Sequence, residues 1–336
     1  MRVRHRFYTD GTTHVASHVA SLRISRPSTA PGTGATGRRL DRKASLTAQI
    51  NAAQRAAETL QPPARRLLDD PYSRHYARHP MLRAMLAHRW LAGVALGVFD
   101  RRWGGLHAHI VLRVRYADDL CMAAIAEGID QLVLLGAGFD TTSLRLAGQP
   151  VTIFEVDAPT TQAAKRSTTE RLLPRQANSR TVWVPVDFEH GALRERLLAS
   201  GFDPERRSVV VWVGVSMYLT ARAIDATLAD LATVCAPGSR LLVDYIDAGV
   251  ATATTRWASA RRVTRVVARR GEPYRSGFTA NEIHDLLAAH GFESQDHATV
   301  PTLLQRYDPT QARGLADDDW LAVVSARRAG VRAVSM

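Results

Sequence analysis

The sequence has little cysteine and no cysteine motif. Cys121 and Cys235 are the only two in 336 residues, each lies in an apolar stretch, and neither belongs to a Cys-x-x-Cys pair. This excludes a disulfide-stapled scaffold and a zinc ribbon, because both need several cysteines at fixed intervals. We therefore expect two reduced, buried thiols in a cytoplasmic protein.

Long apolar runs are also missing. The longest extends from Trp90 to Phe99, well short of the roughly 20 residues that a membrane-spanning helix needs. The basic N-terminus is not followed by an apolar stretch of signal-peptide length. These features predict a soluble, cytoplasmic protein with no membrane partner; they do not specify an oligomeric state.

Lysine is almost absent, although the chain is basic. Lys43 and Lys165 are the only lysines, and arginine supplies the rest of the cations behind a net charge of +12. Residues 1–45 alone carry +7. Because most of the excess lies in one segment, it argues against a folded nucleic-acid-binding face. The Pro-, Gly- and Ser-rich composition predicts a disordered tail at 1–45, and 329–336 is predicted to be a short C-terminal tail.

The remaining chain shows two successive patterns. Residues 46–125 carry helical apolar stripes, interrupted by Pro62-Pro63, Pro71, Pro80 and Gly104-Gly105. From 126 to 328, short apolar runs alternate with helical stretches; the strand candidates are QLVLL, VTIFEVD, TVWVPV, SVVVWVG, SRLLVDY, a weaker run from Phe292, and WLAVVSA. Such strands are typical of a parallel sheet buried on both faces. We predict an α/β, Rossmann-like domain preceded by a helical cap.

A glycine turn follows the first predicted strand. Gly136, Ala137 and Gly138 connect it to a helix, an arrangement that lets backbone approach a ligand closely and presents free N–H groups. Thr141 stands where the dinucleotide fingerprint has its third glycine, which weakens a nicotinamide-cofactor assignment. The turn also lacks the lysine that a nucleoside-triphosphate-binding loop needs, which excludes that type of site. Asp140, next in the turn, suits a nucleoside with a charged amino-acid tail.

Acidic residues end the next two predicted strands. Asp157 lies 19 residues after Gly138, where a carboxylate can accept hydrogen bonds from ribose hydroxyls. Glu155 is expected to point to the opposite face. Asp187 can accept from an adenine amino group and the Phe188 N–H can donate to the ring. Together these strand tips predict a site for S-adenosyl-L-methionine (SAM).

The same stretches resemble the leucine carboxyl methyltransferase-like family of class I SAM-dependent methyltransferases. The resemblance covers roughly 46–328 and rests on RLLDDPYSRHY, RVRYADDL, LGAGFDTTSLRL, FEVDAP, VPVD, VWVGVSMYL, RLLVDYID and GEPYRSGFTANEIHDLLAAHGF. It implies a seven-stranded sheet whose last strand is antiparallel, with an N-terminal helical cap. The family includes bacterial O-methyltransferases of polyketides and other secondary metabolites.

The resemblance also implies roles for individual residues. Arg113 would bind the SAM carboxylate, with Arg115 the next candidate; Gly136, Gly138, Asp157 and Asp187-Phe188 would form the rest of the cofactor site. One position departs from the family: many members have Trp-Glu-Gly after the fourth strand, where this chain has Trp212-Val213-Gly214. The glutamate that contacts the cofactor is therefore not carried over.

The acceptor side is less specified. Tyr218, Tyr245 and Tyr274 are candidates for the acceptor pocket. A carboxylate acceptor needs no base, whereas a phenol benefits from one, and His190 is the least implausible candidate for that base. Asp69-Asp70-Pro71-Tyr72 is interpreted as a helix break with Tyr72 as a packing or cap residue. No metal site is expected, because His107 and His109 are two residues apart on a helix.

Three functions remain open at this point. The first is a SAM-dependent O-methyltransferase of a small-molecule acceptor, a carboxylate or hydroxyl compound of secondary metabolism. The second is a protein carboxyl methyltransferase. The third is a non-catalytic SAM-binding scaffold, which the missing glutamate allows. A methyltransferase acting on RNA is disfavoured.

Overall fold

Helices form the first part of the described chain, residues 46–330 of a computed structural model. The predicted tail at 1–45 lies outside the described residues, as do 331–336 of the predicted C-terminal tail. The four longer helices are α1 (Leu46–Thr59), α2 (Pro80–Met85), α3 (Arg89–Trp103) and α4 (Leu106–Ala126). Pro80 begins α2 rather than only interrupting a helix, because proline fits the first helical turn. In residues 46–126 no strand occurs, as the sequence predicts.

A seven-stranded sheet follows. Its strands are β1 (Gln131–Leu135), β2 (Thr152–Asp157), β3 (Arg180–Pro185), β4 (Ser208–Trp212), β5 (Arg240–Ile246), β6 (Phe292–Thr299) and β7 (Leu321–Arg328). Their order is β3-β2-β1-β4-β5-β7-β6, and β7 runs antiparallel to both of its neighbours. Each predicted strand is confirmed to within about two residues, and so is the implied sheet of seven strands with an antiparallel last strand.

The connections between strands are helical. The intervening helices are α5 (Thr142–Arg145), α6 (Pro159–Leu172), α7 (Leu193–Ala199), α8 (Ala221–Val234), α9 (Ala248–Ala251), α10 (Ala258–Arg269), α11 (Ala280–Ala289) and α12 (Val300–Tyr307). Several begin at local signals in the sequence: Thr220 caps α8, and Thr279 forms a capping box with Glu282 at α11. These two caps set where α8 and α11 begin.

The core has a layer on each face of the sheet. Alternate residues of β4 separate accordingly: Val209 and Val211 pack on one face, Val210 and Trp212 on the other. The helix α4 packs on the first face, so the last helix of the predicted cap also covers the sheet. Residues 46–330 all fall within one compact unit, and a cap boundary near 125 stays a prediction. Of the helices in this part of the chain, none is long and apolar enough to span a membrane.

Candidate active site

The glycine turn has the geometry that its sequence demands. Gly136 and Gly138 have φ of +63° and +42°, a region that favours glycine. A Cβ on Gly136 would overlap the side chain of Val215, which follows β4. The Ala137 N–H donates to the Val156 carbonyl at 3.0 Å, which ties the turn to β2. The first glycine is therefore required by both its backbone angle and its close neighbour.

Asp157 lies beside this turn. Its carboxylate accepts hydrogen bonds from the Gly138 N–H and, at 2.6 Å, from the Ala158 N–H. Burial raises the pKa of Asp157 to about 6, although the two N–H groups and Lys165 partly oppose that rise. Each carboxylate oxygen can accept more than one hydrogen bond. The group can thus hold the turn and still accept from a ligand hydroxyl.

Glu155 lies on the same face of β2 as Asp157, because residues two apart in a strand point the same way. The expectation of opposite faces is therefore wrong. Glu155 is nevertheless committed elsewhere: Lys165 Nζ lies 2.6 Å from Oε2, and Ser143 Oγ donates to Oε1 at 2.7 Å. The buried Lys165–Glu155 pair also contacts the glycine turn, because Lys165 donates to the Ala137 carbonyl at 3.4 Å.

The loop after β3 brings Asp187 next to Asp157. Parallel pairing aligns Asp157 with Pro185, and the Val186 N–H donates to the Asp157 carbonyl at 3.0 Å. Asp187 is exposed, and its Oδ2 lies 2.8 Å from His190 Nδ1. Phe188 is half-buried against the core. His190 is thus engaged at the predicted adenine end of the site, which argues against its role as a base for the acceptor.

Arg113 forms the opposite end of the site. Its Nη1 donates to Asp244 Oδ2 at 2.6 Å, and His109 Nε2 lies 3.1 Å from the same oxygen. The Gly214 N–H donates to Asp244 Oδ1 at 2.7 Å. Burial alone would raise the pKa of the Asp244 carboxyl, but Arg113, His109 and the Gly214 N–H hold it below its usual range. Arg113 Nε has no partner within residues 46–330, so it can donate to a ligand.

Asp244 and His109 were not predicted as site residues. An aspartate inside the otherwise apolar strand RLLVDYI is a signal that could have identified the first of them. Arg115, the second candidate for the carboxylate, lies on the outer face of α4 and pairs with Asp119 at 3.1 Å. Two helical residues are about 200° of rotation, which places Arg115 away from Arg113. That candidate is therefore wrong.

A second cluster of charges surrounds the end of the glycine turn. Arg145 donates to Asp118 through Nε and Nη2, at 2.9 and 2.7 Å, and its Nη1 lies 3.5 Å from Asp70. Asp140 Oδ1 accepts from the Thr142 N–H at 2.6 Å, which starts α5. Burial opposes ionisation of Asp140, but Arg145 and Lys165 lower its pKa to about 2. Asp140 therefore contributes through the shape of the turn.

The cap is joined to the turn by the same cluster. Arg55 of α1 donates to Asp70 Oδ2 at 2.9 Å and to the Phe139 carbonyl at 2.6 Å. Thr141 Oγ1 donates to Asp70 at 2.8 Å. Pro71 follows at the end of this connection, and Tyr72 packs against a cluster that includes Phe139. Tyr72 is thus a packing residue, as expected, and Asp70 gains a structural role that the sequence did not indicate.

A cavity of about 320 Å³ opens beside Arg113 and Gly214. Its walls come mainly from α1, α3, α4, α10 and the segments after β4 and α10; the apolar lining includes Ile50, Leu82, Phe99, Trp103, Leu106, Ile110, Met217, Val263 and Val266. Tyr218 and Tyr274 also line it, with their ring centroids 5.4 Å apart. The volume suits a small, mostly apolar ligand.

Tyr245 does not belong with these two tyrosines. It packs on the other face of the sheet, and its hydroxyl lies 3.0 Å from His297 Nε2. Neighbouring residues of a strand point to opposite faces, so Asp244 faces Arg113 while Tyr245 faces away. Tyr245 is therefore withdrawn as an acceptor-pocket candidate.

The histidines of α4 are engaged separately. His107 contacts Gln54 and Glu58, and His109 contacts Asp244, with both rings fully buried. Within residues 46–330, no group of three or more His, Cys, Asp or Glu could hold a metal ion. Cys121 and Cys235 are free and buried.

A family model of the leucine carboxyl methyltransferases matches residues 48–232, more than half of the chain. The chain belongs to the leucine carboxyl methyltransferase family. A protein of Mycolicibacterium smegmatis, named as an inferred SAM-dependent methyltransferase, is 35% identical over 208 residues, which cover 60% of this chain and 66% of that protein. A protein of Mycobacteroides abscessus with the same inferred name is 31% identical over 65% of this chain and 72% of its own length.

The fold of the family is also seen in a solved structure. A DUF574 family protein from Streptomyces avermitilis superposes with a TM-score of 0.54 at 18% identity, covering 72% of this chain and 92% of that one. At this identity the likeness shows the fold alone. The cofactor in the names of the relatives is SAM, which confirms for the family the cofactor that the sequence predicts.

The departure from the family motif at Val213 has a structural counterpart. Val213 is half-buried against the core, so the position where many members carry glutamate holds no charge. The acidic partner of Arg113 is Asp244 of β5. Gly214 has φ of +80°, and a Cβ there would lie 2.7 Å from Arg113 Nη2. The chain therefore keeps both a fixed arginine and the close backbone approach without the glutamate.

We predict that Gly136→Ala destabilises the fold because the added methyl group overlaps the Val215 side chain. The substitution imposes an unfavourable φ and an overlap with Val215, which together should lower the free energy of unfolding by about 2–4 kcal/mol. Denaturant unfolding measures the effect. Gly128→Ala is the matched control, because Gly128 has φ of +83° but nothing within 4 Å of the added Cβ. An equal loss in both variants would show that Val215 does not matter.

Proposed function

We propose that this chain is a SAM-dependent O-methyltransferase whose acceptor is a small, mostly apolar carboxylate. One observation carries the proposal: Arg113 and Gly214 border both the row of strand-tip residues and the cavity of about 320 Å³. The residues suit a nucleoside with an amino-acid tail, because Asp157 offers a carboxylate for ribose and Arg113 offers donors for a terminal carboxylate. A cofactor lying along the strand tips, with its ribose at Asp157, would direct its amino-acid end toward Arg113 and the cavity.

The cavity lining favours a carboxylate over a phenol or alcohol. Its ionisable residues among the described chain are Arg113, Arg270, Tyr218 and Tyr274. Burial raises the pKa of both tyrosines, and a guanidinium group has no acceptor atom, so none of the four can take a proton from an acceptor at neutral pH. A carboxylic acid arrives already ionised. An acceptor that must lose a proton would find no base in this lining.

The chain's part in the reaction is alignment and exclusion of water. SAM, when bound, supplies a methyl group activated by a positively charged sulfur. Arg113, held by Asp244, would fix the amino-acid end of the cofactor, and the apolar walls would keep water from the acceptor. An ionised carboxylate oxygen of the acceptor would take that methyl group, and the C–S electron pair would stay with the sulfur. No proton is transferred.

Labelled-methyl transfer tests the proposal. The full chain with methyl-labelled SAM is offered three panels: free carboxylic acids, matched phenols, and peptides with a free C-terminus. We expect transfer to acids, insensitive to EDTA. Transfer to peptides alone would favour a protein carboxyl methyltransferase. Calorimetric binding of S-adenosylhomocysteine (SAH) without transfer to any panel would favour a SAM-binding scaffold, and binding of NADH but not SAH would overturn the cofactor assignment.

We further predict that SAM affinity falls as the pH decreases below about 6. In the unliganded chain burial raises the pKa of Asp157 to about 6, and ribose hydroxyls would favour its charged form. Protonation therefore competes with binding, and the Kd should rise by up to about tenfold per pH unit below that value. Calorimetry across pH measures this dependence. Asp157→Asn should bind more weakly at neutral pH and lose the slope, and Asp157→Ala should lose about 1.5–3 kcal/mol.

If the Kd for SAM depends on pH in Asp157→Asn as it does in the parent chain, a group other than Asp157 causes the pH dependence. If Asp157→Ala binds SAM like the parent chain, Asp157 does not hold the ribose.

A further inference from the structure

Three polar residues of α1 interrupt the apolar lining of the cavity. Thr47, Asn51 and Gln54 line it together with Ile50. Spacings of four and three residues place them on one face of the helix. Gln54 is the most deeply placed of the three, with 4% of its surface exposed. A polar strip on one wall of an apolar cavity needs an explanation, because buried polar groups are normally hydrogen-bonded.

The side-chain amide of Gln54 is satisfied on one side only. Its Oε1 lies 3.0 Å from His107 Nδ1, while its Nε2 has no hydrogen-bond partner within the described part of the chain. His107 is itself held, with Nε2 3.3 Å from Glu58 Oε2. With both ring nitrogens of His107 donating, one to Glu58 and one to Gln54 Oε1, the Gln54 N–H group is directed away from the ring. An unsatisfied buried N–H group destabilises the fold, and a ligand oxygen that accepts from it would remove that cost.

The chemistry of the cavity limits what that ligand group can be. The Gln54 Nε2 group only donates, and among the described lining residues there is no aspartate or glutamate. A carbonyl or hydroxyl oxygen can accept from the amide, whereas an ammonium group would meet a second donor and no counter-charge. The complementary group is a neutral oxygen of the acceptor, distinct from the acceptor's reacting carboxylate.

We propose that Gln54 forms a specificity subsite for a second, neutral oxygen of the acceptor, so that the preferred acceptor is an oxygenated apolar acid such as an oxo acid. The proposal rests on the proposed function, since it places the reacting carboxylate at the Arg113 end of the same cavity. It assigns Gln54 to recognition of the acceptor body, separate from cofactor binding. Thr47, whose Oγ1 also has no partner within residues 46–330, lies on the same strip.

Matched acids test the subsite. Straight-chain alkanoic acids, from hexanoic to decanoic, are compared with their (ω−1)-oxo and (ω−1)-hydroxy counterparts. Binding to the SAH-loaded chain is measured by calorimetry, and methyl transfer from SAM is measured in parallel. We expect the oxo and hydroxy acids to bind about three- to tenfold more tightly than the plain acid at the chain length that spans the cavity, the usual effect of one neutral hydrogen bond.

Two substitutions separate the amide nitrogen from the rest of the side chain. Gln54→Glu keeps an oxygen for His107 but replaces the donor by an acceptor, so a carbonyl should lose its advantage while a hydroxyl, which can donate, keeps one. Gln54→Met removes both preferences. Gln49→Met is the matched control on the same helix, because Gln49 accepts from the His79 N–H and is not part of the cavity lining.

The outcomes are separable. Equal binding of plain, oxo and hydroxy acids by the parent chain would show that the Gln54 amide binds only solvent and would overturn the subsite. So would an oxo preference that survives in Gln54→Glu or Gln54→Met. If Gln54→Glu does not fold, the preference for oxo and hydroxy acids is compared between the parent chain, Gln54→Met and Thr47→Val. Selective binding of oxo acids without any methyl transfer would keep the subsite and overturn the proposed function.

Discussion

Replacing Arg145 by methionine should lower the free energy of unfolding at neutral pH by about 3–5 kcal/mol, the usual cost of removing one partner from a buried ion pair. Arg145 is the cation between Asp70, Asp118 and Asp140, and its side chain is 8% exposed. Without it, three carboxylates face one another in a region with little access to water. Chemical denaturation of the parent and variant chains measures the difference.

The pH dependence of this loss identifies its cause. In the parent chain burial opposes ionisation of Asp70 and Asp140, but neighbouring cations lower both pKa values. Their contribution to stability is therefore present above the usual carboxyl pKa and is lost only as the pH falls through the lowered values. In Arg145→Met those pKa values should rise, because each charged form loses the cation that lowers its pKa most. The gap between the two chains should then narrow between pH 7 and about 4.

Arg115→Met is the control for Arg145→Met. Arg115 pairs with Asp119 at the surface, where their side chains are 45% and 48% exposed, and such pairs contribute less than about 1 kcal/mol. Similar losses in the two variants, or a gap that is constant with pH, would show that the buried cluster around Arg145 does not act through its charges.

Replacing Arg113 by methionine should weaken binding of SAH by about 2–5 kcal/mol, or about thirtyfold and more. The physical reason is the loss of a guanidinium that Asp244 holds in place and whose Nε is free to donate. Binding of 5′-methylthioadenosine, which has the nucleoside and thioether but no amino-acid carboxylate, should change little. Calorimetry with both compounds therefore locates the contact on the ligand.

Folding of the Arg113→Met chain must be checked separately, because it leaves Asp244 buried without its cation. Arg113→Lys keeps a positive charge beside Asp244 but loses the planar fork that matches a carboxylate. It should bind 5′-methylthioadenosine normally and SAH with an intermediate loss. Equal weakening of both compounds in both variants would mean that Arg113 supports the shape of the site and does not contact the carboxylate.

The fold was predictable because its signals are local. The apolar runs separated by helical stretches identify every strand, and the spacing from Gly138 to Asp157 identifies the end of the second. Tyr245 was misplaced for a related reason: β5 is buried on both faces, so its sequence has no alternation that would show which way Asp244 and Tyr245 point.

The charge partners were not predictable in the same way. The pairing of Arg113 with Asp244 joins residues 131 positions apart, and that of Arg145 with Asp70 joins residues 75 positions apart. Both depend on how α4 and the connection after α1 pack on the sheet, which periodicity does not report. Family resemblance supplied Arg113 but not the aspartate that holds it.

One helix, α1, contacts both halves of the site through adjacent residues. Gln54 borders the cavity, and Arg55 donates to the Phe139 carbonyl of the glycine turn. If an acceptor that orders α1 from the cavity side changes the free energy of the turn, thermodynamic linkage makes the effect reciprocal: the acceptor changes the affinity for SAM by the same factor as SAM changes the affinity for the acceptor. Replacing Arg55 would then change that factor, because Arg55 carries a contact between α1 and the glycine turn.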